Sequence, residues 1–510
     1  MRQLLVGPKP EDTILVINYR GEIYSIQSKC SHFGFDLAKG LLVGDKIICP
    51  LHNASFSIKT GGDEYGPVFN GLKTFQVERV DGKIKVSIPK NGWSSAPEYK
   101  ELGKDNIDKS KQIVIIGAGS AGLSAAETLR KTGYKGYIYL VTKEADLPYD
   151  RTLLSKYLDA SKPPSAIRNQ QSLENNGIIV VKEANVTGID YEAKNVNIEG
   201  KESLKYDKLL VASGVRNRIP KIEGLDKVSF FSLRNKKDYA EINAALTAPG
   251  VKNVTIIGGG FIGMEIASSI RLGMKDLNVT IVEGQSTPLK HILGDKVGTV
   301  LQKLSEKSGV KVITNAKVKG IEGEEGKVSN VSLEGKDLPT DVLIVATGVE
   351  GSLDFTKGLD HENGGLKTNI FLETNQKDVY AAGDIASYPF WYTGEAARIE
   401  HYGEAIYQGS VAALNMVGKK MPLDNIPFFW TRQYNNSLVF TGVTKGWDDL
   451  HIVGDLNEMK FVAYYIRKSD DKVLGAAAMN SLNMVQMVNE AMRNGVMPSA
   501  STVKNPAFKL

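Results

Sequence analysis

The chain has 510 residues, of which 42% are hydrophobic and 24% charged, and only two are cysteines. This length predicts three or four domains, and the composition excludes a disordered, collagen-like or disulfide-stapled chain. The 63 Lys and Arg against 58 Asp and Glu leave a net charge of +5, which is too small to predict nucleic-acid binding. The longest uncharged stretch, 473–489, is interrupted by polar residues and predicts no transmembrane helix.

The two ends of the chain carry no strong targeting signal. The first residues lack a long apolar core, and Glu11 and Asp12 soon follow, which is typical of neither a signal peptide nor a transit peptide. The final Phe508-Lys509-Leu510 matches a peroxisomal tail only weakly. Two cysteines in so long a chain indicate an intracellular protein with reduced thiols.

The hydrophobic pattern divides the chain into four blocks. Residues 1–92 predict an all-β domain, because short apolar runs such as 14–17 alternate with turn signals such as Arg20-Gly21 and Asp81-Gly82. Residues 93–111 are charged and aperiodic, and predict a linker. From Gln112 a strand, glycine turn and helix follow one another, and the pattern recurs at Asn253. This repeat predicts two dinucleotide-binding units of α/β structure. The segment 428–510, with a strand at 459–466 and a helix at 481–494, predicts an α+β domain.

Each repeat carries a glycine motif between a strand and a helix. Such glycines allow a tight turn and let the backbone approach a pyrophosphate at the helix N-terminus. Glu144 and Glu283 stand where a ribose-binding acid is needed, and Glu283 favours NADH over NADPH because a carboxylate repels a 2′-phosphate. Glycine turns also have purely structural uses. Two such motifs, each with a well-placed acid, favour nucleotide binding over this structural alternative. The candidate binding residues of the turns are Gly117, Gly119, Ser120, Ala121 and Gly122 in the first, and Gly258, Gly260, Phe261, Ile262 and Gly263 in the second.

Three further segments resemble those of the FAD-dependent pyridine-nucleotide reductases; they are 147–156, 206–214 and 379–384. Among these reductases, the chain resembles the branch of the apoptosis-inducing factors and ferredoxin reductases. The resemblance covers 112–510 and implies a glutathione-reductase-like fold that binds FAD and NAD(H). It implies that Asp384 binds the FAD ribitol and that Arg151 and Lys156 lie beside the flavin. The implied domains are an FAD-binding domain (112–234 and 358–427), an NAD-binding domain (235–357) and a C-terminal reductase or interface domain (428–510).

The same resemblance implies three catalytic residues, Lys156, Glu265 and His401. Lys156 pairs with Glu265 near the flavin, where a cation stabilises the negative charge of the reduced ring. The alternative is an exposed lysine and a glutamate that stabilises the helix start through the dipole. His401 and Trp430 match segments that line the flavin and the nicotinamide, although an aromatic cluster is more often simple core.

Both cysteines fall in one pattern, Cys30-x-His32 followed by Cys49-x-x-His52. Two cysteines and two histidines are compatible with zinc. A Rieske [2Fe–2S] centre, however, needs one cysteine and one histidine from each of two loops, and this order matches it. The prediction is therefore a Rieske domain over 1–92 with these four residues as ligands, with zinc and a vestigial site as alternatives.

The loops also predict the redox potential of the cluster. Respiratory-type Rieske proteins carry an additional cysteine in each loop, and this chain has Phe35 and Leu51 at those two places. They also carry a serine and a tyrosine where this chain has Ala54 and Phe56. Because hydrogen bonds to the cluster sulfurs raise the potential, their loss predicts a value near the low end of the Rieske range, roughly −150 mV.

The sequence thus predicts an oxidoreductase that passes electrons from NADH through FAD to a fused Rieske cluster. No cysteine is left for disulfide exchange. The expected partner is an unidentified acceptor such as a ferredoxin, an oxygenase or a quinone, and a homodimer is possible. Rieske-bearing members of the apoptosis-inducing-factor family imply a mitochondrial location, with the cytoplasm as alternative. A competing hypothesis is a scaffold or signalling protein whose redox centres are structural or sense NADH.

Overall fold

The computed structural model describes residues 1–7, 12–89, 103, 106–158 and 163–508. Its N-terminal domain consists of two antiparallel sheets, with strand orders β1-β2-β3-β8-β9 and β4-β5-β6-β7. The strands β1 to β9 are Arg2–Leu5, Thr13–Tyr19, Glu22–Gln27, Leu41–Val43, Lys46–Ile48, Ser55–Ser57, Asp63–Tyr65, Thr74–Val80 and Lys83–Ser87.

Local sequence explains the hairpins of this domain. Arg20-Gly21 joins β2 to β3, and Asp81-Gly82 joins β8 to β9, with all four φ angles between 49° and 87°. Positive φ at both central residues suits the right-handed twist of the flanking strands, so both predicted turns form tight hairpins. The core between the two sheets contains Leu15, Ile26 and Phe56, which are fully buried.

The first α/β unit follows. Its strands pair in parallel in the order β12-β11-β10-β16, with the glycine turn between β10 and α1. Its elements are β10 Asp108–Ile116, α1 Ser120–Lys131, β11 Gly136–Val141, α2 Gln170–Asn175, β12 Ile178–Val181, β13 Val186–Asp190, β14 Asn195–Ile198, β15 Leu204–Lys205, β16 Lys208–Val211 and β17 Val215–Asn217.

The second α/β unit repeats this arrangement with the parallel order β20-β19-β18-β24. The strand β17 pairs with β25 at the junction of the two units. The elements are α3 Lys236–Leu246, β18 Asn253–Ile257, α4 Phe261–Gly273, β19 Asn278–Val282, α5 Lys290–Lys307, β20 Lys311–Ile313, β21 Val318–Glu324, β22 Lys327–Leu333, β23 Lys336–Pro339, β24 Val342–Val345 and β25 Val349–Gly351.

The chain then returns to the first unit. These elements are β26 His361–Glu362, β27 Gly365–Lys367, β28 Val379–Ala381, β29 Ala386–Pro389, β30 Ala396–Ala397 and α6 Tyr402–Met416. Strand β28 pairs with β16 and completes the first sheet, while α6 packs on α1. The first unit is therefore assembled from two separate stretches of chain, as a reductase fold requires.

The C-terminal domain is a five-stranded antiparallel sheet of order β31-β32-β35-β34-β33 with two helices. Its elements are β31 Phe428–Gln433, β32 Asn436–Gly442, β33 Asp449–Asp455, β34 Lys460–Arg467, β35 Lys472–Met479, α7 Leu482–Arg493 and α8 Ala500–Val503. Alternate residues of the sheet enter two hydrophobic clusters, one shared with each α/β unit. The sheet thereby holds the two units against each other.

The predicted order of an all-β domain, two α/β units and a C-terminal α+β domain is confirmed. The strand predicted at 459–466 is β34, and the helix predicted at 481–494 is α7. Most of the predicted linker, 93–111, lies outside the described residues, and β10 begins within it at Asp108. Within the described part of the chain, no helix is long and apolar enough to cross a membrane.

Candidate functional site

Two loops of the N-terminal domain present the four predicted cluster ligands in equivalent positions. Cys30 follows β3 and Cys49 follows β5. Four residues after each cysteine, Gly34 and Asn53 donate their N–H groups to the cysteine carbonyls over 2.9 and 3.0 Å, and both have left-handed φ of 68° and 60°. Gly and Asn adopt this conformation at the least cost, so the sequence favours both turns.

The two thiols lie together in the core of the domain. Cys30 and Cys49 are buried and form no disulfide. The pKa of the Cys30 thiol is raised, first by its hydrogen bond with Cys49 and second by burial. Two adjacent unbridged sulfurs form the thiolate half of a Rieske ligand set.

The two histidines form a second pair. His32 Nδ1 and His52 Nδ1 are 3.0 Å apart. Burial lowers the pKa of His52 well below its usual value, which leaves the neutral imidazole that binds metals. Among the described residues, no group of three or more His, Cys, Asp or Glu side chains is arranged to hold a single metal ion. Separate thiol and imidazole pairs instead fit a two-iron cluster, which takes one pair on each iron.

The histidine pair faces the rest of the protein. The His52 ring lies 4.2 Å from the Trp430 ring between centroids, and the His32 ring lies 5.9 Å from it. His32 Nε2 also lies 3.5 Å from Asp150 Oδ2. Trp430 belongs to β31, and Asp150 precedes the predicted flavin residues Arg151 and Lys156. The candidate cluster and flavin sites therefore adjoin.

Lys156 and Glu265 form a buried ion pair at this junction. Lys156 Nζ is 2.8 Å from Glu265 Oε2, and their side chains are 14% and 4% exposed. Ser155 Oγ donates to Glu265 Oε2 over 2.5 Å, and Thr431 Oγ1 donates to Oε1 over 2.8 Å. These burial values are incompatible with the alternative of an exposed lysine. Glu265, on α4, instead binds residues of two other segments at one point. These segments are strand β31 and the loop that precedes α2.

The first glycine turn is shaped to receive a ligand. A Cβ at Gly117 would lie 2.1 Å from the Ala212 carbonyl oxygen, and one at Gly122 would lie 1.9 Å from the Gly117 oxygen, so both positions require glycine. Gly119 faces open space and caps α1 without a side chain, as does Gly260 at the start of α4. Uncapped helix N-termini leave backbone N–H groups directed at an anion such as pyrophosphate.

A charged cluster lies beside the first turn. Glu144 accepts hydrogen bonds from Tyr149 and from Arg151, whose Nη2 is 2.6 Å away. Arg151 also contacts the carbonyl of Arg234, and Arg234 Nη2 lies 3.6 Å from Asp384 Oδ2. Burial, followed by the charge of Arg151, lowers the pKa of Arg234. Two adjacent guanidinium groups, whose side chains are 25% and 30% exposed, fit an anionic ligand. The structure thus places Arg151 with Glu144, and Lys156 separately with Glu265.

The second turn presents its acid directly. Glu283 follows β19, and its Oε2 accepts the Gly259 N–H over 2.7 Å while its Oε1 accepts that of Gln285 over 2.8 Å. Gly258 has φ of 112°, and the following residues of the motif, including the exposed Ile262, open α4. The carboxylate lies against the turn, where the ribose of a bound dinucleotide is expected.

His401 carries an unsatisfied polar atom. It precedes α6, and its ring centroid lies 4.6 Å from that of Phe429. Burial lowers the pKa of His401 to about 3, so the imidazole is neutral at physiological pH. Its Nδ1 is buried and makes no hydrogen bond within the described structure. A buried nitrogen without a partner is costly unless a bound ligand supplies one, which fits a cofactor at this position.

Sequence reasoning missed several of these partners. Thr431, Ser155 and Arg234 were not candidates, although each contacts a predicted site residue. Thr431 and Ser155 adjoin the predicted Trp430 and Lys156 in the chain, which is the only local signal that could have identified them.

Comparisons with known proteins agree with this site. The family model for the pyridine nucleotide-disulphide oxidoreductases matches residues 111–409, that for the reductase C-terminal domain matches 428–510, and that for the Rieske [2Fe–2S] domain matches 5–76. The chain is 34% identical over 493 residues to apoptosis-inducing factor 3 of Homo sapiens, covering 94% of this chain and 80% of that protein. It is 30% identical to the ferredoxin–NAD(+) reductase component of the biphenyl dioxygenase system of Paraburkholderia xenovorans, covering 78% and 97%.

Solved structures show the same relationship. A ferredoxin reductase for the CYP199A2 system from Rhodopseudomonas palustris superimposes with a TM-score of 0.72 and 26% identity, covering 78% of this chain and 98% of that one. The covalent putidaredoxin reductase–putidaredoxin complex matches with a TM-score of 0.73 and 25% identity over 78% and 97%.

Fold and site together define an NAD(P)H-dependent FAD oxidoreductase of the ferredoxin-reductase type that carries a Rieske domain. The chain belongs to the pyridine nucleotide-disulphide oxidoreductase family and is similar along almost its whole length to apoptosis-inducing factor 3. The predicted enzyme class and the cofactors FAD, NAD(H) and [2Fe–2S] are confirmed. The assignments of individual site residues and the domain boundaries remain predictions.

Proposed function

We propose that this enzyme passes electrons from NADH, through FAD, to the cluster of its own Rieske domain and then to an external one-electron acceptor. The observation that carries the proposal is the contact of the histidine pair with Trp430 on β31, the strand whose next residue, Thr431, hydrogen-bonds Glu265 of the buried Lys156–Glu265 pair. FAD accepts a hydride and releases electrons singly, and a Rieske cluster carries one electron at a time. One NADH thus yields NAD⁺, a proton and two reduced acceptors.

The proposed NADH site uses the second glycine turn. Glu283 is already oriented by two backbone N–H groups, and its remaining lone pairs are available to a ribose hydroxyl. The same negative charge opposes the 2′-phosphate of NADPH. We therefore assign NADH as the preferred donor.

The proposed flavin site is supported by the charges around it. The two guanidinium groups of Arg151 and Arg234, next to the open α1 N-terminus, suit the pyrophosphate. Lys156 is held in one position by Glu265, so its positive charge is available to stabilise negative charge on the reduced ring. His401 offers Nδ1 to a polar atom of the ligand.

The proposed transfer step is intramolecular. The histidines lie against the Trp430 ring, and the next residue of β31, Thr431, hydrogen-bonds Glu265 of the buried pair. In the putidaredoxin reductase complex the carrier is a separate protein. Here the Rieske domain would occupy that role, and its acceptor would be a ferredoxin-like carrier, an oxygenase or a quinone. A mitochondrial site of action rests on the family resemblance.

The proposal is tested by steady-state NADH oxidation with two acceptors, a flavin-level dye and a one-electron acceptor that takes electrons from the cluster. Cys49→Ser removes a cluster ligand and is expected to spare the dye reaction and abolish the other. Ser25→Ala, which alters a buried polar residue of the same domain, is the matched control and should change neither. Equal loss of both reactions with FAD still bound would refute the electron order. Negligible turnover of the wild-type enzyme with every acceptor would favour the scaffold alternative.

A further inference from the structure

A buried ion pair of the first α/β unit also binds the N-terminal domain through its arginine. Arg168, in the loop before α2, has its Nε 2.7 Å from Glu127 Oε1 of α1, and the two side chains are 6% and 3% exposed. The same guanidinium donates through Nη2 to the Phe69 carbonyl over 2.9 Å and to Asn70 Oδ1 over 2.8 Å. Arg168 thus binds both domains at once, and we call Glu127, Arg168 and Asn70 the α1 clamp.

The α1 clamp reaches the first cluster loop through one further hydrogen bond. Ser31 Oγ donates to the Asn70 carbonyl over 2.6 Å. Ser31 stands between the predicted ligands Cys30 and His32. The orientation of this loop is therefore tied to a charge on the flavin-binding unit.

A second set of contacts holds the other cluster loop. Gln486 Nε2, on α7, donates to the Pro50 carbonyl over 2.9 Å. One helical turn further, Asn489 Oδ1 accepts from Asn53 Nδ2 over 3.4 Å, and both glutamine and asparagine of the helix are buried. Pro50 and Asn53 bracket His52 in the chain. We call Gln486, Asn489, Pro50 and Asn53 the α7 clamp.

The α7 clamp explains an unusual residue. Asn53 has a left-handed φ of 60°, which glycine would adopt most readily. Asparagine tolerates the same backbone and adds an amide, which here contacts α7. The asparagine side chain thus supplies a contact between domains.

We propose that the two clamps hold the Rieske domain in one fixed dock on the reductase, and that Arg168 and Gln486 are positioning residues for electron transfer from the flavin site to the cluster. The inference rests on the proposed function for the direction of transfer. Each clamp grips one cluster loop beside a predicted histidine ligand, so together they fix the distance between the histidines and Trp430.

The chemistry of the clamps favours a permanent dock. In water, the charges of Glu127 and Arg168 would each be solvated. In the docked form both side chains are almost completely buried, so each charge needs the other as its partner. A domain that left its dock in every cycle would repeatedly break the hydrogen bonds of Arg168 to Phe69 and Asn70, expose the buried ion pair to water and uncover the Gln486 amide.

The test uses the full-length holoenzyme with two clamp variants. Glu127→Gln with Arg168→Met removes both charges of the α1 clamp together, so that no unpaired buried charge remains. Gln486→Leu removes the α7 hydrogen bond. Asp378→Asn with Lys194→Met, which removes a 2.7 Å ion pair at the edge of the first sheet, is the matched control.

Three quantities are measured after anaerobic mixing with NADH: the rate of flavin bleaching, the rate at which the electron paramagnetic resonance signal of the reduced cluster appears, and the radius of gyration by small-angle X-ray scattering. The clamp variants combined are expected to leave flavin bleaching and the shape of the cluster signal unchanged. They should slow cluster reduction at least tenfold and increase the radius of gyration. The control should match the wild type.

Unchanged cluster reduction with unchanged scattering would overturn the proposal, and so would faster cluster reduction, because a mobile domain would then be the productive one. Slower flavin bleaching would also overturn it, since the residues would act on the reductase itself. A wild-type enzyme whose cluster stays oxidised with NADH would refute the proposed function instead. In that case the scattering change alone still tests the dock.

Discussion

Replacing Glu265 by Gln removes the negative charge from a carboxylate that is 4% exposed and lies 2.8 Å from the Lys156 ammonium. At an effective dielectric constant of about 20, the attraction at this distance is about 6 kcal/mol before desolvation is subtracted. Removing one partner of such a buried pair costs roughly 3–5 kcal/mol, because the other charge remains without compensation. We expect Glu265→Gln to destabilise the holoenzyme by this amount.

The assay is a double-mutant cycle with Lys156→Met, in which the free energy of unfolding and the rate of NADH oxidation with a flavin-level dye are both measured. The coupling energy should be about 2–4 kcal/mol, and each single variant should slow the dye reaction. The exposed pair of Arg216 and Glu350, at 2.8 Å, is the control and should give no more than about 1 kcal/mol. A coupling energy near zero with an unchanged dye rate would refute the assigned role of the pair.

Four further predictions follow from the site. Glu283→Gln should raise the ratio of kcat/KM for NADPH to that for NADH by about 10–100-fold, since it removes the repulsion of the 2′-phosphate; an unchanged ratio would exclude Glu283 from the ribose site. Because the folded protein holds His401 neutral with a pKa of about 3, its contribution to stability is present above about pH 6.5 and is lost as the pH falls towards 3. His401→Gln should therefore flatten the acid side of the stability profile by up to about 1.4 kcal/mol per pH unit between pH 6 and 4, and a parallel profile would contradict this. A redox titration of the cluster should give roughly −150 mV, whereas a value well above +100 mV would be incompatible with the missing sulfur hydrogen bonds. Phe33, which is 46% exposed with its ring 4.0 Å from that of His32, is the accessible edge of a histidine pair otherwise covered by the reductase. Phe33→Glu should therefore slow the reduction of an external protein carrier without slowing internal cluster reduction, and an equal effect on both would count against this exit.

The glycine turns and the cluster loops were predictable because their chemistry is local. Gly117 and Gly258 adopt φ above 110°, and each cysteine loop places a histidine two or three residues after its cysteine, so a few neighbouring residues specify each feature. Glu283 was equally predictable, since it directly follows the strand β19 that comes after its own glycine motif.

The contacts between domains were not predictable in this way. Arg168 reaches Asn70 across 98 positions, Gln486 reaches Pro50 across 436, and Thr431 reaches Glu265 across 166. In the sequence these residues are indistinguishable from ordinary surface polar groups. Only the packing of the C-terminal sheet and of the Rieske domain on the α/β units brings them together.

The central claim is that electrons pass from the flavin to the cluster within one molecule. The most direct measurement mixes the oxidised holoenzyme anaerobically with one equivalent of NADH and follows flavin bleaching and the cluster resonance signal over a range of protein concentrations. The account predicts that the cluster signal follows flavin bleaching with a rate constant that does not depend on protein concentration. A cluster that stays oxidised while the flavin is bleached, or a rate that rises in proportion to protein concentration, would contradict it.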